Sequence, residues 1–238
     1  MDILTYDIFF ALITLTFLEI ILGIDNLIFI AIAVQKLPKV QRKKARIFGL
    51  SLAFIIRILM LLGLTWVMGL TKPLFYIGEA GFSYKDILLI LGGLFLIIKA
   101  GWEIASDVFF DHNHEDPIDT KKEIAKGMLA AIVQISLVDF IFSFDSVITA
   151  VGMTNNVPVI VIAIVIAMIV MLLASESLTN ILKTYPSLKI VALAFIFMLG
   201  VILFADGIHF HISKGYLYFS LFFTMTVEIL NIVARKNK

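Results

Sequence analysis

Cysteine is absent from these 238 residues. No disulfide framework, thiolate zinc site or thiol nucleophile can therefore be built, although the count leaves the compartment open. Charge is scarce as well. Asp, Glu, Lys and Arg make up 16% of the chain, against about 25% in a soluble domain. The net charge of +1 provides no general basic field for nucleic acid. The first residues, Met1 to Asp7, are acidic and carry no basic n-region. No small-residue cleavage site follows the first apolar stretch, so that stretch is expected to be a retained helix and not a signal peptide. What fills the chain instead is apolar: 61% of residues are hydrophobic. That excludes disorder and does not fit a water-soluble globule.

The apolar residues fall into seven runs, at about 7–34, 47–70, 85–105, 127–152, 158–180, 188–207 and 215–234. Each exceeds the roughly 18 residues that suggest a spanning helix. The expectation is an all-α membrane protein of seven transmembrane helices in a single polytopic domain, residues 1–238. The fourth and fifth runs are joined by a tight hairpin at Thr154–Pro158. Lys and Arg in the connections set the orientation. Fourteen lie in the connections after runs 1, 3 and 5 and in the tail. Lys72, Lys85 and Lys214 lie in the others, and Arg57 and Lys99 lie within runs. This asymmetry predicts the N-terminus outside and the C-terminus in the cytoplasm.

Two stretches resemble each other. Run 1 contains Glu19, five residues, Asp25 and then Asn26; run 4 contains Asp139, five residues, Asp145 and then Ser146. Three spans separate them, so they cross in opposite directions. This is the pattern of an inverted repeat of three helices plus three, with a seventh outside it, in which sites form near the midplane. Repeat 1 then covers about 7–105, repeat 2 about 127–207 and helix 7 about 215–234, with an acidic cytoplasmic loop at about 106–126. On an unbroken helix, acids six residues apart are turned by about 240°. Unwinding at Gly23 and Ser143 would let both acids of each pair reach one site; continuous helices with one acid lining it are equally allowed.

An ionisable residue at the bilayer centre costs about 2.5–3.5 kcal/mol on insertion scales, and such residues usually face a cavity, find a base or relay ions. Arg57 is one base against four acids. It would pair with Asp145 or Glu19 in a purely structural reading, and it cannot neutralise all four. The surplus of carboxylate, with Asn26 and Ser146 oxygens beside it, suits a hard dication such as Mg²⁺, Ca²⁺ or Mn²⁺. The absence of Cys and of intramembrane His argues against zinc or copper. The metal is then a transported substrate and not a permanently bound cofactor, and protons are the natural counter-ion, since like-charged acids raise each other's pKa.

Other residues have weaker readings. Lys99 and Glu103 are spaced for a helix-surface ion pair. Asp206, before Gly207, suits a helix C-terminus or an outer gate. Glu176 and Glu228 are read as structural. Gly92, Gly93 and Gly101 are read as close-packing positions. The loop from Asp107 to Asp119, with His112 and His114, is read as a solvated acidic linker before a metal sensor. His209 and His211 are read as surface residues. Two Asp in separate spans raise the thought of an intramembrane protease, but the string at 22–25 is LGID, not GLGD, and no enzyme is expected.

The strings LEIILGIDN at 18–26, LGGLFLIIKA at 91–100, DFIFSFDSVITAVG at 139–152 and ADGIHFH at 205–211, followed by KGY at 214–216, resemble the TerC family. This is the tellurium-resistance protein C family of the LysE-like exporter superfamily. The resemblance covers essentially the whole chain. It implies a seven-helix bacterial inner-membrane protein associated with manganese export and metal homeostasis, with Glu19, Asp25, Asp139 and Asp145 as the motif acids. It also implies an alternative, a partner in membrane-protein assembly or metalloprotein loading whose acids are structural.

Overall fold

The computed structural model describes residues 2–35, 37–63, 68–77, 80–109, 121–154 and 156–236; the side chains of residues 2–7, 77, 80, 121–124, 145, 235 and 236 are not described. The chain runs α1 (Asp2–Leu22), α2 (Ile24–Ala33), α3 (Lys39–Leu62), β1 (Pro73–Ile77), β2 (Ala80–Ser83), α4 (Tyr84–Phe109), α5 (Lys121–Met153), α6 (Val157–Thr184), α7 (Pro186–Gly207) and α8 (Lys214–Lys236). Among the described residues six helices are long and apolar enough to cross a membrane. A seventh span is counted if α1 and α2, bent by 43°, are taken together.

Proline sets several entries. Pro38 is the N-cap of α3, Pro73 opens β1, Pro158 is the second residue of α6 and Pro186 begins α7. At these positions the missing N–H costs no ladder bond. The α5–α6 connection is as short as expected. Thr154 closes α5 by donating its N–H to Ala150 O, and its hydroxyl accepts from Asn156 N at 3.2 Å.

The second span differs from its expected limits of 47–70. Helix α3 begins at Lys39 and ends at Leu62, where Gly63 donates to Leu59 O. The basic stretch Lys39–Arg46 is helical, because long basic side chains are good helix formers and reach water from the end of a span. The connection that follows holds an unforeseen antiparallel hairpin, with Phe75 opposite Phe82 and Tyr76 opposite Gly81. A Cβ on Gly81 would lie 2.9 Å from both Pro73 Cβ and Tyr76 Cε1, so a larger residue there would have to push one of them aside.

The helices form two compact units, Met1–Gly69 with Ile118–Thr179, and Leu70–Pro117 with Asn180–Lys238. Each unit draws on both halves of the sequence. In the first, α3 lies along α5, and α1 and α2 also touch α5. Gly49 gives α5 its close approach: a Cβ there would meet Ile135 at 3.0 Å. In the second, α4 lies along α7. Gly93 and Gly200 let these two backbones meet, since a Cβ on Gly93 would stand 2.5 Å from Phe204 N and 2.6 Å from Gly200 O. Gly93 is thus the close-packing position read from sequence, whereas a Cβ on Gly101 would meet only Phe197 carbons, at 3.7 Å. Helix α8 rests on α7 and turns Phe219, Phe222, Phe223 and Leu230 outward, the dress of a lipid-facing helix.

Candidate functional site

The first unit holds a cluster of charged side chains inside its apolar interior. Its foundation is the break at Gly23. The Gly23 N–H donates to Glu19 O at 2.9 Å and Ile20 O at 3.1 Å, ending α1, and α2 restarts at Ile24. A Cβ at this corner would lie 2.6 Å from Met171 Sδ of α6. The bend leaves Glu19 in the last turn of α1 and Asp25 in the first turn of α2. An acid is favoured at a helix N-terminus by the unpaired N–H groups there.

Glu19, Asp25, Asn26, Arg57 and Asp139 are all buried, none more than 3% exposed. Arg57, projecting from α3, bridges two acids. Its Nη1 donates to Glu19 Oε2 at 2.5 Å and its Nη2 to Asp139 Oδ1 at 2.8 Å. Asn26 Nδ2 also donates to Asp139 Oδ1, at 2.8 Å, and the Ser143 hydroxyl donates to Asp139 Oδ2 at 3.0 Å. Ser146 is buried and donates to Ser143 O at 3.2 Å. One guanidinium therefore ties α1 to α5 through α3. Glu19 Oε1, Asn26 Oδ1 and Arg57 Nε are buried without a hydrogen-bond partner. Two of the three are acceptors, one of them a carboxylate oxygen of Glu19.

Of the residues expected at the site, Glu19, Asn26, Arg57 and Asp139 are joined by direct bonds, and Asp25 is buried beside Asn26 in sequence on α2. Asp145 lies on α5, and its side chain is outside the described residues. Among the described residues no three of His, Asp and Glu are grouped to hold a metal ion; Arg57 stands between Glu19 and Asp139. The unwinding considered for both motifs occurs at Gly23 but not at Ser143, where α5 is unbroken. Glycine can open a helix; serine here keeps the helix and turns its hydroxyl to the acid four residues back. That i, i+4 spacing was the overlooked signal for Ser143.

The remaining candidates belong to the second unit or to the edges. Lys99 is half-buried on α4. Glu103 is not at the helix surface, where the expected pair with Lys99 would place it. Glu103 is buried, and its carboxylate lies 3.8 Å from Lys189 Nζ on α7, which also reaches Asp107 at 2.6 Å. The helix-to-helix contact won because α4 turns this face onto α7. Asp206 sits at the end of α7 with His211 Nδ1 at 3.2 Å. His209 is more than a surface residue: it stacks on Phe82, 5.0 Å between ring centroids, and its Nε2 is 3.4 Å from Asp86 Oδ2. Glu176 pairs with Arg46 at 2.9 Å, a structural role as read. Asp111, His112, His114, Asp116 and Asp119 lie outside the described residues.

The description "Integral membrane protein TerC family" matches residues 4–238. The chain is similar to a "UPF0053 protein" of Haemophilus influenzae, 45% identical over 226 residues that cover 95% of this chain and 94% of that one. It is similar to the "UPF0053 inner membrane protein YgdQ" of Escherichia coli K12, 44% identical over 95% of this chain and 93% of the relative. It also resembles "UPF0053 inner membrane protein YoaE" of the same strain, 45% identical over 97% of this chain but spanning only 44% of that protein's length. No solved structure matches.

Proposed function

We propose that this chain, which belongs to the TerC family of integral membrane proteins, exports divalent cations, with Mn²⁺ as the favoured substrate. It is a multi-pass inner-membrane protein, as its relatives are named and as its spans require. In the proposed orientation the N-terminus is outside and the C-terminus cytoplasmic, following the Lys and Arg asymmetry. The observation that carries the reading is the pair of buried acceptor oxygens without donors, Glu19 Oε1 and Asn26 Oδ1, within a carboxylate cluster at a broken helix. A hard cation would satisfy them. Asp25 and Asp145 complete the proposed ligand set and Ser146 supports it; Lys99 and Asp206 are proposed as gating residues.

Moving two charges out against about 100 mV costs about 4.6 kcal/mol. Exchange for two protons removes that electrical cost, and carboxylates that alternate between metal and protons supply the exchange. The test is Mn²⁺ flux in proteoliposomes under a pH gradient, for the wild type and for Asp25→Asn. Gradient-driven flux that disappears in the variant, with expression intact, is the expected result. Full flux in the variant would remove Asp25 from the site. The two hydrogen bonds that Arg57 donates, one to Glu19 and one to Asp139, favour one rival, an assembly or metalloprotein-loading partner whose acids lock helices together. That rival predicts no flux in the wild type and a loss of abundance in acid variants.

A further inference from the structure

We infer that Arg57 is a built-in cation that occupies the substrate position in this conformation, and that a divalent ion enters by displacing it. The inference rests on the transport reading above. Arg57 Nη1 and Nη2 hold Glu19 Oε2 and Asp139 Oδ1 at 2.5 and 2.8 Å. A dication bridging the same two carboxylates would need the space the guanidinium fills, which explains why these acids form no metal cage as they stand. Once Arg57 withdraws, both carboxylates and the Asn26 carbonyl oxygen offer up to five oxygens. Water completes the six or more ligands that hard dications take.

Charge decides what can make the exchange. Glu19 and Asp139 carry two negative charges, and Arg57 returns one. A dication neutralises the pair where the guanidinium leaves a surplus. A monovalent ion offers no such gain, and it competes against a group held at high effective concentration by its own helix. Arg57 therefore works as a selectivity device, excluding Na⁺ and K⁺ by being a better monocation than either. Two features favour its release. Its buried Nε has no acceptor, so the paired state is not fully satisfied. Glu19 and Asn26, the latter bonded to Asp139, stand on opposite sides of the 43° bend at Gly23, so a change in that bend shifts Glu19 against the acid that shares Arg57 with it.

The test is calorimetric titration of the purified full chain in detergent with Mn²⁺, at low and at high NaCl, for wild type, Arg57→Gln and Arg57→Lys. Arg57→Gln is expected to bind Mn²⁺ about tenfold more tightly and to become sensitive to Na⁺, while its proteoliposome flux falls because nothing expels the ion. Arg57→Lys keeps the charge but loses the two-pronged fork, and about threefold tighter binding is expected. It carries the test if Arg57→Gln fails to fold. Unchanged or weaker binding in the folded variants overturns the role given to Arg57. Absence of Mn²⁺ binding in wild type and variants alike overturns the transport reading itself.

Discussion

Asn26 donates its side-chain amide to Asp139 Oδ1 over 2.8 Å, so the residue that closes the first acidic motif is bonded to the acid that opens the second. Asp139 receives donors from Asn26, Arg57 and Ser143, whereas Glu19 keeps Oε1 without one. The two carboxylates that share Arg57 are therefore unequal. Asp139 is held by its surroundings, and Glu19 has an oxygen to offer.

That inequality predicts how Asn26 variants behave. Asn26→Leu fills the space but leaves Asp139 with one donor fewer in an apolar interior, a loss of about 1–3 kcal/mol. Asn26→Asp replaces a donor by a further carboxylate and is expected to be worse still in the absence of metal. Thermal unfolding in detergent checks both. A Tm for Asn26→Leu within a degree of wild type would show that the 2.8 Å contact contributes nothing.

Removing Arg57 strands two buried acids, and breaking a buried ion pair from one side costs about 3–5 kcal/mol. Arg57→Gln is accordingly expected to unfold well below wild type in metal-free buffer. A substrate that satisfies the same acids should restore part of the loss. Mn²⁺ at 100 times its Kd contributes about 2.7 kcal/mol. The measurement is Tm against Mn²⁺ concentration. A variant that is unstable and stays so in saturating Mn²⁺ would assign the acids to packing alone.

The spans were legible in the sequence because lipid demands long unbroken apolar runs, whereas the break at Gly23 was only one of two readings left open, because a glycine between two acids permits a bend without requiring it. Arg57 was visible as a base among acids, but its second partner was not. Choosing Asp139 depends on how α3 lies along α5, which Gly49 and Ile135 determine through a contact between residues far apart in the chain. The hairpin at Pro73–Ser83 escaped because strands of five and four residues are too short for an alternating pattern to stand out. Glu103 was misassigned for a related reason: the i, i+4 neighbour Lys99 is visible along one helix, and Lys189 on another helix is not.

The corner at Gly23 offers a coupled test. A Cβ there would sit 2.6 Å from Met171 Sδ, the far end of a flexible side chain. Gly23→Ala is therefore expected to fold, with a loss of about 1–3 kcal/mol from overpacking. Met171→Ala makes room for the new methyl, so the double variant should recover part of that loss, giving a non-additive cycle. Thermal unfolding of the four proteins measures the coupling. Strict additivity would place the strain in the Gly23 backbone and not against Met171.

Helix α4 supplies two glycines eight residues apart with opposite expectations. At Gly93 an added methyl would lie 2.5 Å from Phe204 N and 2.6 Å from Gly200 O. These are backbone atoms of a packed helix and cannot swing aside, so Gly93→Ala must push α4 and α7 apart along their contact. A loss of about 1–3 kcal/mol follows from overpacking of this kind. At Gly101 the same methyl meets only ring carbons of Phe197 at 3.7 Å, an ordinary contact. There the helix gains by losing a flexible residue, and Gly101→Ala should be neutral or stabilising by about 0.5–1 kcal/mol. Comparing the two variants on one helix removes the effect of helix propensity, which is the same at both positions. If Gly93→Ala matched Gly101→Ala in Tm, the close passage of α4 over Gly200 would not hold this unit together.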